Sequence, residues 1–173
     1  IARECDVITF HTPLSREGRY ATFHLVNHEF LVSLKRTPYI INSSRGEVVD
    51  TDALLAALVT GKVRDVVIDT WENEPDINQE LLEVAFLGTP HIAGYSADGK
   101  ANGTRMALQA VARHFNKEVT FEVSAPALPE GYSYYPEMAV APDSPLRLYN
   151  PLRDSEALKA YPEDFEKLRG DYP

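Results

Sequence analysis

The chain has 173 residues, 44% of them hydrophobic, an ordinary share for a globular core that excludes a disordered chain. A net charge of −9 leaves no basic stripe, so nucleic-acid binding is excluded as the main activity, and any anionic substrate has to be held by local positive groups. The single Cys5 allows neither an intrachain disulfide nor a zinc ribbon, and no signal-peptide pattern or membrane-spanning apolar stretch appears, so the expected location is the cytoplasm with no membrane partner.

The sequence opens at Ile1 rather than Met and runs almost at once into Val7-Ile8-Thr9-Phe10, which reads as part of a longer protein. That β-branched and aromatic run, stopped by His11-Thr12-Pro13, predicts a buried strand delivering a loop at its carboxyl end. Asn27 is placed to cap a helix through Leu34, with Glu29 in its first turn, and Pro38 introduces a strand from Tyr39 to Asn42. After Gly46, Asp50 or Asp52 caps a helix carrying Leu54, Leu55 and Leu58 on one face, and Gly61 stops it. Val66-Val67-Ile68 follows, completing the strand–helix–strand rhythm of a parallel sheet. A fourth strand is expected at His91-Ile92-Ala93. Asp98 then caps a long helix whose Leu108, Val111, Ala112 and Phe115 recur at helical spacing, a stripe expected to be buried. Beyond Phe121, Pro126, Pro129, Pro136, Pro142, Pro145 and Pro151 predict extended or turn-rich segments. A last helical patch starts at Pro162 with Phe165 and Leu168 on one side, and no internal repeat is present.

Three residues close short apolar runs: Arg45 after Ile40-Ile41-Asn42, Glu74 after Val66-Val67-Ile68, and His91 after Thr89-Pro90. In an alternating βα pattern the carboxyl ends of parallel strands face one crevice. A cation, a carboxylate and an imidazole gathered there suit oxidation of a hydroxy acid. The guanidinium can hold the substrate carboxylate, and an imidazole polarised by a carboxylate can take the hydroxyl proton as hydride leaves. Singly, each residue has a plainer reading as a loop charge, a turn residue or a structural histidine. Asp69 ends a buried strand at the same crevice, where it either caps loop backbone or meets a cofactor, and Thr12 with His11 stands at another strand end.

Competing motifs are weak. Gly94-Tyr95-Ser96-Ala97-Asp98-Gly99-Lys100-Ala101 has the spacing of a phosphate-binding P-loop, but Ala101 stands where a magnesium-binding hydroxyl is needed. No G-x-S-x-G occurs, which argues against a serine hydrolase. His24, His28 and His114 show no metal-ligand spacing and read as ordinary helix or loop residues, so no metal is expected.

The runs Ile41-Asn42-Ser43-Ser44-Arg45-Gly46-Glu47-Val48-Val49-Asp50, Ile68-Asp69-Thr70-Trp71-Glu72-Asn73-Glu74-Pro75 and Thr89-Pro90-His91-Ile92-Ala93-Gly94 resemble the D-isomer-specific 2-hydroxyacid dehydrogenases, a family with two Rossmann-like domains. The continuation from Tyr95 to Thr104 and the tail from Phe165 to Tyr172 resemble the branch that acts on 4-phospho-D-erythronate. The resemblance implies that Arg45 binds the substrate carboxylate, His91 exchanges the proton and Glu74 pairs with the imidazole. It places Thr12, Ser43, Ser44, Arg45, Asp69 and Gly94 near NAD, and Tyr95 at a small phosphorylated hydroxy-acid substrate. The implied reaction is NAD-linked oxidation to the 2-oxo acid, a step in pyridoxal phosphate synthesis, carried out by a homodimer. The implied fold is α/β: the C-terminal half of a Rossmann-like, doubly wound parallel sheet over residues 1–97, a long connecting helix over 98–118, and part of a small α+β dimerisation domain over 119–173. No G-x-G-x-x-G is present, so the first half of the dinucleotide site is expected to lie outside this chain. The alternatives are a sister enzyme acting on phosphoglycerate or on glyoxylate and hydroxypyruvate, and a non-catalytic dimerisation piece.

Overall fold

Residues 3–124 and 149–172 are described in the computed structural model. Four strands, β1 (Val7–Phe10), β2 (Tyr39–Asn42), β3 (Asp65–Ile68) and β4 (Leu87–Gly88), form one parallel sheet in the order β1-β2-β3-β4. Their last residues stand in register, Phe10 beside Asn42, Asn42 beside Ile68 and Ile68 beside Gly88. The loops that begin at residues 11, 43, 69 and 89 therefore leave the sheet along one edge. This alignment is what positions the candidate site.

Helices α1 (His28–Ser33), α2 (Thr51–Val59) and α3 (Gln79–Val84) join the strands. Each starts on a side-chain cap: Asn27 accepts from Phe30 N–H, Asp50 from Ala53 N–H and Asn78 from Leu81 N–H. Gly61, at φ +68°, turns the chain out of α2 in a conformation that favours glycine. The core joins Ile8, Phe10, Ile40, Val66 and Ile68 of the sheet to Leu31, Leu54 and Leu81 of the helices. The face α2 buries is Ala53, Leu54 and Ala57, with Leu55 and Leu58 only partly covered. Two alanines let the helix approach its neighbours closely, which the expected leucine stripe overlooked.

Three expectations need correction here. The fourth strand is Leu87–Gly88, not His91-Ile92-Ala93, because His91 has φ +55° and a left-handed residue cannot continue a strand. Helix α3, absent from the sequence reading, precedes that strand. Residues 150–172, which the sequence grouped with 119–149, fold back with the first part of the chain: the described residues divide into one unit of 3–91 with 150–172 and a second of 92–124 with 149.

In the first unit, helix α5 (Leu152–Ala160), a short 3-10 turn (Pro162–Asp164) and helix α6 (Phe165–Gly170) complete the core with Leu158 and Phe165, both fully buried. Pro151 caps α5 rather than preventing a helix. Ser155 Oγ accepts the edge amide of Gly88 at 3.0 Å, and Lys159 Nζ donates to the Glu83 and Ala85 carbonyls at 3.2 and 2.7 Å. These bonds cover the free edge of β4 and the carboxyl end of α3.

The second unit holds α4 (Ala97–His114), capped by Ser96 through Gly99 N–H and not by Asp98. No residue of α4 is buried, so the expected burial of its apolar stripe is not met among the described residues. Leu108, Val111 and Phe115 instead line an open groove with Val119 and Phe121. The readings of Pro126 to Pro145 lie outside the described residues. No described helix is long and apolar enough to cross a membrane.

Candidate active site

The edge where β1 to β4 end is held by polar side chains with few exposed atoms. Asn42, buried as the last residue of β2, donates through Nδ2 to the Arg45 carbonyl at 3.0 Å and to the Thr70 carbonyl at 3.3 Å. Its Oδ1 accepts from Ser44 Oγ at 2.9 Å and from Ser44 N–H at 3.3 Å. One amide thus fastens the 43–45 loop to the strand end at Thr70. Gly46 packs so tightly on the next loop that a Cβ there would overlap the Trp71 carbonyl. Arg45 is thereby held beside the segment that carries Glu74. Its guanidinium is exposed, donates to the Ser44 carbonyl at 2.6 Å and forms no ion pair among the described residues.

The loop after β3 is anchored by Trp71, whose indole N–H donates to the Thr89 carbonyl at 2.9 Å and whose ring lies against Gly88. Glu74 Oε1 accepts from Trp71 N–H at 2.8 Å, and its Oε2 lies 2.8 Å from His91 Nδ1. Both side chains are largely buried. His91 N–H donates to the Asp69 carbonyl at 2.8 Å, which helps hold the left-handed turn that aims the ring at Glu74. Asp69 is buried and its Oδ1 accepts from Thr89 Oγ1 at 2.7 Å.

Two hydroxyl oxygens at this edge, Thr12 Oγ1 and Thr70 Oγ1, are buried with no hydrogen-bond partner. Unsatisfied buried hydroxyls are uncommon, and these two stand where β1 and β3 give way to their loops. Ser43 and Ser44 stand on the loop that Asn42 fastens. Of the residues singled out from the sequence, Glu74 and His91 touch directly, and Arg45 joins them through loop packing. Thr12, Ser43, Ser44 and Asp69 share the same sheet edge. Gly94 and Tyr95 belong to the second unit. There a side chain at position 94 would meet open space, and Lys100 Nζ lies 3.2 Å from the centre of the Tyr95 ring. No group of three or more potential metal ligands occurs among the described residues.

Sequence reasoning missed Asn42, whose only signal was a polar residue closing an apolar run. It also took His24 as an ordinary loop residue, whereas His24 contacts Glu72 and Asp50. Tyr172 was read only as part of the C-terminal tail that carries the resemblance, with no role of its own. Burial, and then the charges of Asp154 and Asp69, raise its phenol above the ordinary value of 10.0.

Residues 1–93 match the family model described as D-isomer specific 2-hydroxyacid dehydrogenase, NAD binding domain. The erythronate-4-phosphate dehydrogenase of Bacteroides thetaiotaomicron is 55% identical over the whole chain, which covers 49% of that relative. The chain thus spans about half the length of the curated relatives it matches. Among solved structures, D-mandelate dehydrogenase from Rhodotorula graminis superposes with a TM-score of 0.59 at 29% identity, covering 73% of this chain and 37% of that one. D-lactate dehydrogenase from Aquifex aeolicus, complexed with NAD and lactic acid, gives 0.51 at 34% identity, covering 64% of this chain and 37% of that one. A parallel sheet whose strand ends gather these loops, together with a family match over more than half the residues, places the chain in the D-isomer-specific 2-hydroxyacid dehydrogenases as a member of their NAD-binding domain family.

Proposed function

We propose that this chain supplies the proton-transfer pair and part of the NAD site of an enzyme that oxidises 4-phospho-D-erythronate to its 2-oxo acid, a step toward pyridoxal phosphate, as a cytoplasmic homodimer. The observation that carries the reading is the Glu74–His91 contact at 2.8 Å. With Nδ1–H donated to Glu74, the opposite ring nitrogen, Nε2, presents its lone pair to the substrate hydroxyl. The C2 hydroxyl proton passes to Nε2, the C2–H bond breaks with its electron pair leaving as hydride, and the C2–O bond becomes a carbonyl. Glu74 stabilises the imidazolium so formed. The exposed Arg45 guanidinium binds the substrate carboxylate through its two-pronged donor geometry and so orients C2.

NAD, when bound, supplies the hydride acceptor. Thr12, Ser43, Ser44, Arg45 and Asp69 are the first-unit residues assigned to hold it. The two partnerless hydroxyls and the Asp69 carboxylate suit a ligand rich in amide and hydroxyl groups. By family likeness Gly94 is assigned to the cofactor and Tyr95 to the phosphorylated end of the substrate. The likeness also supports a nucleotide-binding part over 1–97, a connecting helix over 98–118 and, after it, a dimerisation part that does not include the segment 150–172.

In the complete enzyme, His91→Ala and Arg45→Ala should each lower turnover of 4-phospho-D-erythronate by about 100- to 10,000-fold, the range typical of a lost positioned base. Glu80→Ala, on the exposed first turn of α3, should leave it unchanged. Equal and mild effects from all three would remove the assignment. Faster turnover of phosphoglycerate than of phosphoerythronate would transfer it to a sister substrate.

A further inference from the structure

The loop that carries Glu74 holds a second carboxylate two residues earlier, and that one is also paired with an imidazole. His24 Nε2 lies 2.7 Å from Glu72 Oε1, and His24 Nδ1 lies 3.6 Å from Asp50 Oδ2. The other Glu72 oxygen accepts the N–H of Thr51, the first residue of α2, at 2.9 Å, where the helix dipole favours negative charge. Asp50 meanwhile caps the same helix through its Oδ1. The His24 ring is stacked on Phe23 with centroids 4.0 Å apart, and Arg16 covers that Phe23 ring while pairing with Glu47.

The backbone around His24 is also committed. His24 has φ +48°, a region non-glycine residues seldom occupy without surrounding support. The support comes from His24 N–H donating to the Glu47 carbonyl at 2.7 Å and Val26 N–H donating to the Val48 carbonyl at 3.0 Å. The imidazole is thus presented to Glu72 by a fixed stretch of chain.

Glu72 and Glu74 flank Asn73, itself at φ +61°. One carboxylate is held by His24 and the start of α2, the other by Trp71 N–H and His91. The proton transfer uses neither His24 nor Glu72, yet both are largely buried and paired. We infer that His24 and Glu72 are positioning residues that lock the 71–75 loop so that Glu74 meets His91 Nδ1. This rests on the roles proposed for Glu74 and His91. Reacting groups displaced by about 1 Å can lose on the order of 100-fold in rate, so a locked loop has a direct kinetic consequence.

The test uses the complete enzyme, with kcat and both KM values measured for His24→Ala, His24→Gln and Glu72→Gln, alone and combined with Glu74→Gln. His24→Ala should lower kcat by about 10- to 100-fold while the KM for NAD and for the hydroxy acid stay within about threefold. His24→Gln, which keeps an N–H donor for Glu72, should recover most of that loss. Added to Glu74→Gln, His24→Ala should cost less than about threefold, because its effect passes through Glu74. An unchanged kcat in His24→Ala, or losses that multiply fully in the double variant, overturns the inference. Where His24→Ala yields no folded protein, Glu72→Gln is carried through the same cycle with the same expected coupling. His91→Ala in the same assay keeps the two readings apart: if it is inactive while His24→Ala is normal, only the positioning role falls.

Discussion

Along the strand ends of the first unit, the loops are stitched by buried side chains: Asn42 and Trp71 donate to the carbonyls of Arg45, Thr70 and Thr89, and the Asp69 carboxylate accepts from the Thr89 hydroxyl. Along α4 of the second unit no residue is buried, and Val111 and Phe115 are 56% and 65% exposed. Both regions carry strong sequence patterns. The first pattern is a set of polar residues closing apolar runs, and its bonds turn flexible loops into a surface of fixed geometry. The second is an apolar stripe at helical spacing, which records a face but not what covers it. A functional side chain can be argued from the first kind of pattern because its surroundings already restrain it; the second kind supports only a statement about the helix itself.

The largest test of this contrast is in stability. Leu158→Ala, deep in the core where α5 packs along β4, should destabilise the chain by about 2–5 kcal/mol in denaturant unfolding. Val111→Ser, on the exposed stripe, should stay within about 0.5 kcal/mol of wild type. A loss of several kcal/mol at Val111 would show that the stripe is covered in solution and would erase the contrast.

A smaller effect is expected from Tyr95, where a phenol donor and the Lys100 ammonium lie together. In the complete enzyme Tyr95→Phe should lower kcat/KM for 4-phospho-D-erythronate by about 10- to 100-fold, and by much less for an unphosphorylated hydroxy acid. That range follows from about 1.5–3 kcal/mol for a hydrogen bond to a charged group. Equal losses on both substrates would leave Tyr95 as a packing residue and weaken the choice of phosphoerythronate.

Much of the first unit was legible because its signals are local. Strands β1, β2 and β3 announce themselves as β-branched runs, and Asn27 and Asp50 mark helix starts by chemistry that acts over three residues. Strand β4 has two residues, one of them glycine, and α3 has six, so neither builds a readable period. His91-Ile92-Ala93 looked like a strand by composition, and only the fold shows His91 in a left-handed turn. Pro151 was read as a breaker although proline suits the start of a helix. In the site, Arg45, Glu74 and His91 could be chosen by residue type and place. The Glu72–His24 contact joins positions 48 apart, and no spacing rule reaches that far.

Tyr172 offers the finest test, because it lies where the returning C-terminal segment meets the site edge. Its phenol is pushed above 10.0 first by burial, then by the negative charges of Asp154 and Asp69, so the folded state holds this proton more tightly than the unfolded chain does. The resulting stabilisation is fully present below about pH 10 and is lost as pH climbs through the higher folded value. Wild-type unfolding free energy should therefore fall more steeply above pH 10 than that of Tyr172→Phe, which has no proton to lose. Asp69→Asn should bring the tyrosinate absorbance transition down, but not to the ordinary value, since burial and Asp154 remain. Parallel alkaline curves for wild type and Tyr172→Phe would mean that residue 172 is solvated like any exposed tyrosine. The stitched edge would then end at His91, with no contribution from the segment that folds back on it.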